Sequence, residues 1–83
     1  MVEQATAVHH YEVEVNRKKF VEDHRERTGL QLKEDAIAAG IPIKPSYVLD
    51  EETHEGLLRI NDDTKVEIRS GLKFLAHPGG SDS

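Results

Sequence analysis

The sequence predicts an α+β fold, with one helix packed on a mixed four- to five-stranded sheet. Three observations predict it. Apolar and charged residues alternate from Tyr11 to Val15 and again from Lys65 to Ile68, the period of a strand with one wet face. A single segment between Thr28 and Gly40 has helical spacing, with a start signal at one end and a stop signal at the other. A last short apolar run, Leu72-Lys73-Phe74-Leu75-Ala76, closes the pattern.

Residues 1–7 are small or polar without a period and read as a loose leader. Tyr11, Val13 and Val15 then alternate with Glu12 and Glu14 to give a first strand. Asn16-Arg17-Lys18 reads as a turn, and Lys19-Phe20-Val21-Glu22 as the returning strand of a hairpin. Residues 23–27 read as a charged connector. Thr28 with Gln31 fits a capping box, in which a side-chain oxygen satisfies an orphan helix N–H. Leu30, Leu32, Ala36, Ile37 and Ala39 share the apolar side of the helix. Lys33 interrupts that side and is expected to reach outward along its methylenes. Gly40 supplies the left-handed stop and Pro42 prevents continuation.

Beyond the Pro42 and Pro45 linker, Tyr47-Val48-Leu49 reads as a strand and Asp50-Glu51-Glu52 as an acidic turn. Residues 57–60 form a further short strand, Asn61-Asp62-Asp63-Thr64 a turn, residues 65–68 a strand, and Ser70-Gly71 a break before the last strand. The domain therefore spans residues 8–76, and residues 77–83 form a mobile tail with no large apolar side chain to bury. The expected core is Tyr11, Val13, Val15, Phe20, Leu30, Leu32, Ile37, Leu49, Leu58, Ile60, Ile68, Leu72 and Phe74.

Hairpin, helix, short strands and a final strand is the element order of a β-grasp domain. A hairpin alone is marginal in water, and one amphipathic helix across a mixed sheet gives both a shared core. In this arrangement the last strand pairs beside the first. A small α+β domain of another topology is the competing arrangement.

Composition removes several function classes. The 83 residues leave room for one core, and the absence of cysteine excludes a disulfide scaffold, a thiolate metal site and a cysteine nucleophile. A net charge of −5 argues against a nucleic-acid partner, which needs a cationic face. No apolar run approaches the roughly 20 residues that span a bilayer, so no membrane partner is expected. The start of the chain lacks the basic and apolar regions of a signal peptide, which points to a cytoplasmic domain. His9 and His10 point to opposite faces of a strand, and His24, His54 and His77 fall in separate loop or tail regions. The five histidines read as solvated, with no metal site expected. No histidine is arranged with a serine for nucleophilic catalysis, and the acids cluster in turns rather than a pocket, so no catalytic residue is expected.

Several segments together resemble the bacterial multiubiquitin family of ubiquitin-like domains: Tyr11-Glu-Val-Glu-Val-Asn-Arg-Lys-Lys-Phe20, Thr28-Gly29 entering a helix, Ala39-Gly40-Ile41-Pro42 leaving it, Tyr47-Val-Leu49, and Asp63-Thr64 through Ser70-Gly71-Leu-Lys-Phe74. The resemblance covers roughly residues 9–80. Tandem copies are common in that family, whereas this sequence holds one, and residues 53–58 depart from its regularity. The resemblance implies a ubiquitin-like protein modifier that is not itself an enzyme. Its C-terminal glycine is activated as an acyl-adenylate by an activating enzyme, passed to a conjugating enzyme as a thioester, and joined to target proteins. ATP is consumed by the activating enzyme and no cofactor is bound here. A bacterial role in antiviral defence is also implied.

Carried onto this sequence, Gly80 is the acyl donor and Gly79 the spacer. Glycine is required because a narrow channel must admit the backbone itself. Ser81-Asp82-Ser83 follow Gly80, so the resemblance implies cleavage at the Gly80–Ser81 bond by a processing peptidase, of the JAB type or another. Read without the resemblance, the same five residues are a flexible polar tail. Leu75 alternates with inward Phe74 and is expected to face outward with Val48, on a partner-binding surface with Lys73, Arg69 and His77. Cations at residues 17–19 and at 65, 69 and 73 equally serve as edge-strand protection. The six lysines, residues 18, 19, 33, 44, 65 and 73, are candidate acceptors for a further copy, and the free form is expected to be a monomer. Two other functions fit the same residues: a non-covalent binding module that uses the sheet face, and a sulfur carrier that uses the same glycine.

Overall fold

A two-residue turn sets the register of the first hairpin. In the computed structural model, which describes residues 10–79, Asn16 and Arg17 both have positive φ, 54° and 67°. These are the paired left-handed conformations of a type I′ turn, whose twist matches that of the flanking strands. Strand β1 (Tyr11–Val15) and strand β2 (Lys18–Glu22) consequently pair antiparallel, with Val15 opposite Lys18 and Val13 opposite Phe20. Lys18 thus begins β2 rather than ending the turn.

The segment expected to be a charged connector contains a strand. β3 (Glu26–Thr28) pairs antiparallel with β6 (Lys65–Glu67), forming a separate two-stranded sheet. Pairing compensates for the poor strand propensity of the charges, and the partner lies almost forty residues away, beyond the reach of a local pattern.

Helix α1 (Gly29–Ala38) begins as expected. The Gln31 N–H donates to Thr28 Oγ1 at 3.2 Å, and the Thr28 N–H donates to Gln31 Oε1 at 2.9 Å. Two further orphan donors reach the turn before β6: the Gly29 N–H donates to the Thr64 carbonyl at 3.0 Å and the Leu30 N–H to the Asp62 carbonyl at 3.1 Å. This close approach requires glycine, since a Cβ at Gly29 would press into the Asn61 carbonyl. The helix ends in a Schellman motif. The Ile41 N–H donates to the Ala36 carbonyl at 3.0 Å and the Gly40 N–H to the Ile37 carbonyl at 2.9 Å, with Gly40 at φ 98°.

Lys33 does not reach outward. It is 3% exposed, and its Nζ donates to the Pro45 carbonyl, the Tyr47 carbonyl and Asp62 Oδ1, each at 2.7 Å. The sequence shows a cation on a helix face. The three acceptors that make its burial tolerable lie 12, 14 and 29 residues further on.

Strands β4 (Val48–Thr53) and β5 (Gly56–Ile60) form a second hairpin, with Thr53 opposite Gly56. Asp50, Glu51 and Glu52, expected as an acidic turn, are strand residues, and the turn falls at His54 and Glu55. The last strand, β7 (Lys73–His77), lies between β1 and β4. It runs parallel to β1, with Phe74 opposite Val15, and antiparallel to β4, with Ala76 opposite Leu49. The Asn16 side chain extends the β1–β7 contact beyond the end of β1: its Nδ2 donates to the Ala76 carbonyl at 2.9 Å, and its Oδ1 accepts from the Ala76 N–H at 2.8 Å.

The result is an α+β domain in which one helix packs on a mixed five-stranded sheet of order β2-β1-β7-β4-β5, compatible with a β-grasp. The last strand lies beside the first, as expected. Val13, Val15, Phe20, Leu32, Leu49, Ile60, Ile68 and Phe74 fill the space between helix and sheet. Ile41 and Ile43 join them from the segment expected to be a linker, with Ala36, Val66 and Ala76. Tyr11, Ile37 and Leu72 pack against the rim of this core, and Leu30 is half-buried. Leu58 departs from expectation. It lies on the outermost strand near the β4–β5 turn and is 55% exposed.

At the other end, Arg27 clamps Asp35 of the helix, Nε to Oδ2 and Nη2 to Oδ1, both at 2.8 Å. Glu22, the last residue of β2, is buried beside them, and burial pushes its carboxyl up to about 7. Among the described residues no helix is long and apolar enough to cross a membrane.

Candidate functional site

Strand alternation divides the sheet into a face under the helix and an open face. On β7, Phe74 and Ala76 are buried, so Lys73, Leu75 and His77 occupy the open face. The β4 register adds Val48 opposite His77 and Asp50 opposite Leu75. Leu75 and Val48 are half-buried there, and His77 and Lys73 are exposed. The expected outward orientation of Leu75 and Val48 is therefore observed. Arg69 belongs to the exposed turn before β7, where it lines a surface depression of about 480 Å³ with Gly71, Lys73 and three residues of β4. Since β7 advances about 3.3 Å per residue, Arg69 and Lys73 stand at one end of it and His77 at the other. Lys73, Leu75 and His77 lie on β7, Arg69 on its approach and Val48 on neighbouring β4, so the five do not form one compact patch.

The open face has an electrostatic centre that pattern reading did not single out. Asp50 is only 5% exposed. Its Oδ1 accepts from Arg59 Nε at 2.6 Å on β5, and its Oδ2 lies 3.1 Å from His77 Nε2 on β7. The Arg59 hydrogen bond, helped by His77 and opposed by burial, holds the Asp50 carboxyl below its usual range. Asp50 thereby links β4, β5 and β7 and pins the end of β7. The available signal was its position inside an apolar strand start, Tyr47-Val48-Leu49-Asp50; both of its partners lie elsewhere in the chain.

From this anchored end the chain leaves the sheet through exposed Pro78 and Gly79. Gly79 passes close to β4, and a Cβ there would stand 3.2 Å from Val48 Cγ2. A larger residue at this point would need Val48 to give way slightly. Gly80 and Ser81, the expected acyl donor and the residue after the cleaved bond, lie outside the described residues.

The open face carries half-buried Leu75, which lines one depression with Lys73 and the more exposed Leu57, and beside it the Arg59–Asp50–His77 group. Compared with protein-family models, with curated proteins and with solved structures, the chain matches none.

Proposed function

We propose that the chain is a ubiquitin-like protein modifier of the multiubiquitin type, matured by hydrolysis of the Gly80–Ser81 bond and joined to targets through the Gly80 carboxylate. The observation that carries this reading is the placement of β7. It lies in the middle of the sheet, parallel to β1, and delivers the chain to an exposed exit one residue before Gly80. A central strand is held on both sides, so the exit direction is set by the body of the domain.

Maturation consumes one water and releases the segment that begins at Ser81. Activation then joins the freed carboxylate to AMP from ATP, with loss of pyrophosphate, and transfer passes through an enzyme thioester to an amine. All of this chemistry belongs to the partner peptidase and to the activating and conjugating enzymes. The chain contributes recognition through Leu75, Val48, Lys73, Arg69 and His77, and side-chain-free access at Gly79 and Gly80. Lys33 is removed from the acceptors by burial, leaving Lys18, Lys19, Lys44, Lys65 and Lys73, all exposed.

The test uses N-terminally tagged protein in an extract of the organism that encodes it, with and without ATP, read by intact mass and by peptide mapping of adducts. Loss of residues 81–83 alone, followed by ATP-dependent conjugates linked at Gly80, is the expected result. A Gly80→Ala variant ending at residue 80 should form none. An unchanged full-length mass with no adduct would sink the modifier reading and favour a non-covalent binding module. Trimmed protein that gains sulfur in place of oxygen, without conjugates, would identify a sulfur carrier.

A further inference from the structure

The buried end of β2 carries a cluster that the proposed function does not use. Glu22, His24 and Asp35 each present a ligand atom, and the three atoms lie within 4.8 Å of one another. They come from the end of β2, the loop after it and the middle of α1, so no sequence spacing announces them. We propose that Glu22, His24 and Asp35 form a binding site for one divalent transition-metal ion of the zinc class.

Geometry carries the proposal. Glu22 is 1% exposed, with its carboxylate inside the cluster. Its Oε2 meets the His24 N–H at 3.2 Å and His24 Nδ1 at 3.0 Å, while its Oε1 is buried without a hydrogen-bond partner among the described residues. A buried carboxylate oxygen with no donor is costly and wants a proton or a cation. Zinc bonds to nitrogen and oxygen of about 2.0–2.2 Å place neighbouring ligand atoms of a tetrahedral site roughly 3.4 Å apart. The His24–Glu22 pair is already near that separation, and the half-exposed His24 ring is free to adjust.

Charge and donor type agree. Asp23 Oδ1 also faces His24 Nδ1, at 2.9 Å. Three carboxylates, those of Glu22, Asp23 and Asp35, therefore surround one guanidinium, that of Arg27, and a dication brings the cluster to neutrality. Arg27 uses one lone pair on each Asp35 oxygen and, from outside the site, orients that ligand carboxylate, which also meets the Glu22 carboxyl. A mixed imidazole and carboxylate set selects zinc, cobalt or nickel over magnesium and calcium, which favour oxygen alone. This site is independent of the modifier reading, since none of its residues lies on the open face.

The experiment titrates zinc chloride, and separately cobalt chloride, into the full 83-residue chain. Binding is followed by calorimetry, melting temperature and the visible spectrum of cobalt. One ion per chain, a zinc-dependent rise in melting temperature and a cobalt ligand-field band are expected. His24→Ala, at an exposed position, should weaken binding about tenfold or more, with an unchanged circular dichroism spectrum. Asp35→Asn should also weaken it, and a His9→Ala, His10→Ala double variant should not. Absence of binding up to about millimolar zinc overturns the proposal. So does binding that survives His24→Ala but disappears with His9 and His10.

Discussion

Replacing Lys33 by methionine isolates the contribution of one buried ammonium. Methionine keeps the unbranched stem and the helix propensity but removes the terminal nitrogen with all three donors. The Pro45 and Tyr47 carbonyls, both in part-buried hydrogen bonds, then lose a charged partner. An orphaned buried acceptor costs about 1–3 kcal/mol. Asp62 differs, because its side chain is 63% exposed and water replaces the lost bond. Relief of the ammonium's own desolvation offsets part of the loss. The expected net cost of Lys33→Met is about 2–4 kcal/mol, a large share of the roughly 4–12 kcal/mol available to a domain of this size. Asp62→Asn keeps an acceptor oxygen for the ammonium and changes only an exposed side chain, so it should cost less, about 1 kcal/mol. Urea unfolding followed by far-ultraviolet circular dichroism measures both. A cost below about 1 kcal/mol for Lys33→Met, or equal costs for the two variants, would refute the argument that the carbonyls hold the ammonium.

Arg17 occupies a left-handed conformation that glycine adopts without penalty, so Arg17→Gly should stabilise the protein by about 0.5–1 kcal/mol, seen as a higher urea midpoint; a lower midpoint would contradict the turn. Asp50 has a folded-state pKa depressed below 3.8, so its contribution is present above that value and is lost as pH falls through the lower, folded one. Melting temperature should therefore fall less steeply below about pH 4 in Asp50→Asn than in the parent, and parallel profiles would remove the Arg59 and His77 interactions from consideration. Leu58→Ser should change stability by less than about 0.5 kcal/mol, whereas Ile60→Ser, two residues along and buried, should cost at least about 2 kcal/mol. Similar losses at both positions would place Leu58 in the core.

The residues of the open face were partly legible. Strand alternation alone sends Leu75 to the open face while Phe74 and Ala76 go in, because successive side chains must point to opposite sides. Asp50 was not legible as their neighbour. An acid among other acids reads as solvated, and only the pairing of β4 with β5 and β7 brings Arg59 and His77 to its two oxygens. The same limit hid the cluster of Glu22, His24 and Asp35, whose members share no element.

By itself the sequence determined the local pieces. The hairpin alternation, the Thr28 and Gln31 cap, the Gly40 stop and the breaks at Asn61 and Gly71 are written in short-range sterics and hydrogen bonding, which act within a few residues. Tertiary structure alone decided that β3 pairs with β6, that Lys33 turns inward, and that the acidic run from Asp50 lies in a strand. Each of these places charge where local preference disfavours it. Each is stabilised by acceptors, cations or strand partners that only the folded chain brings within reach.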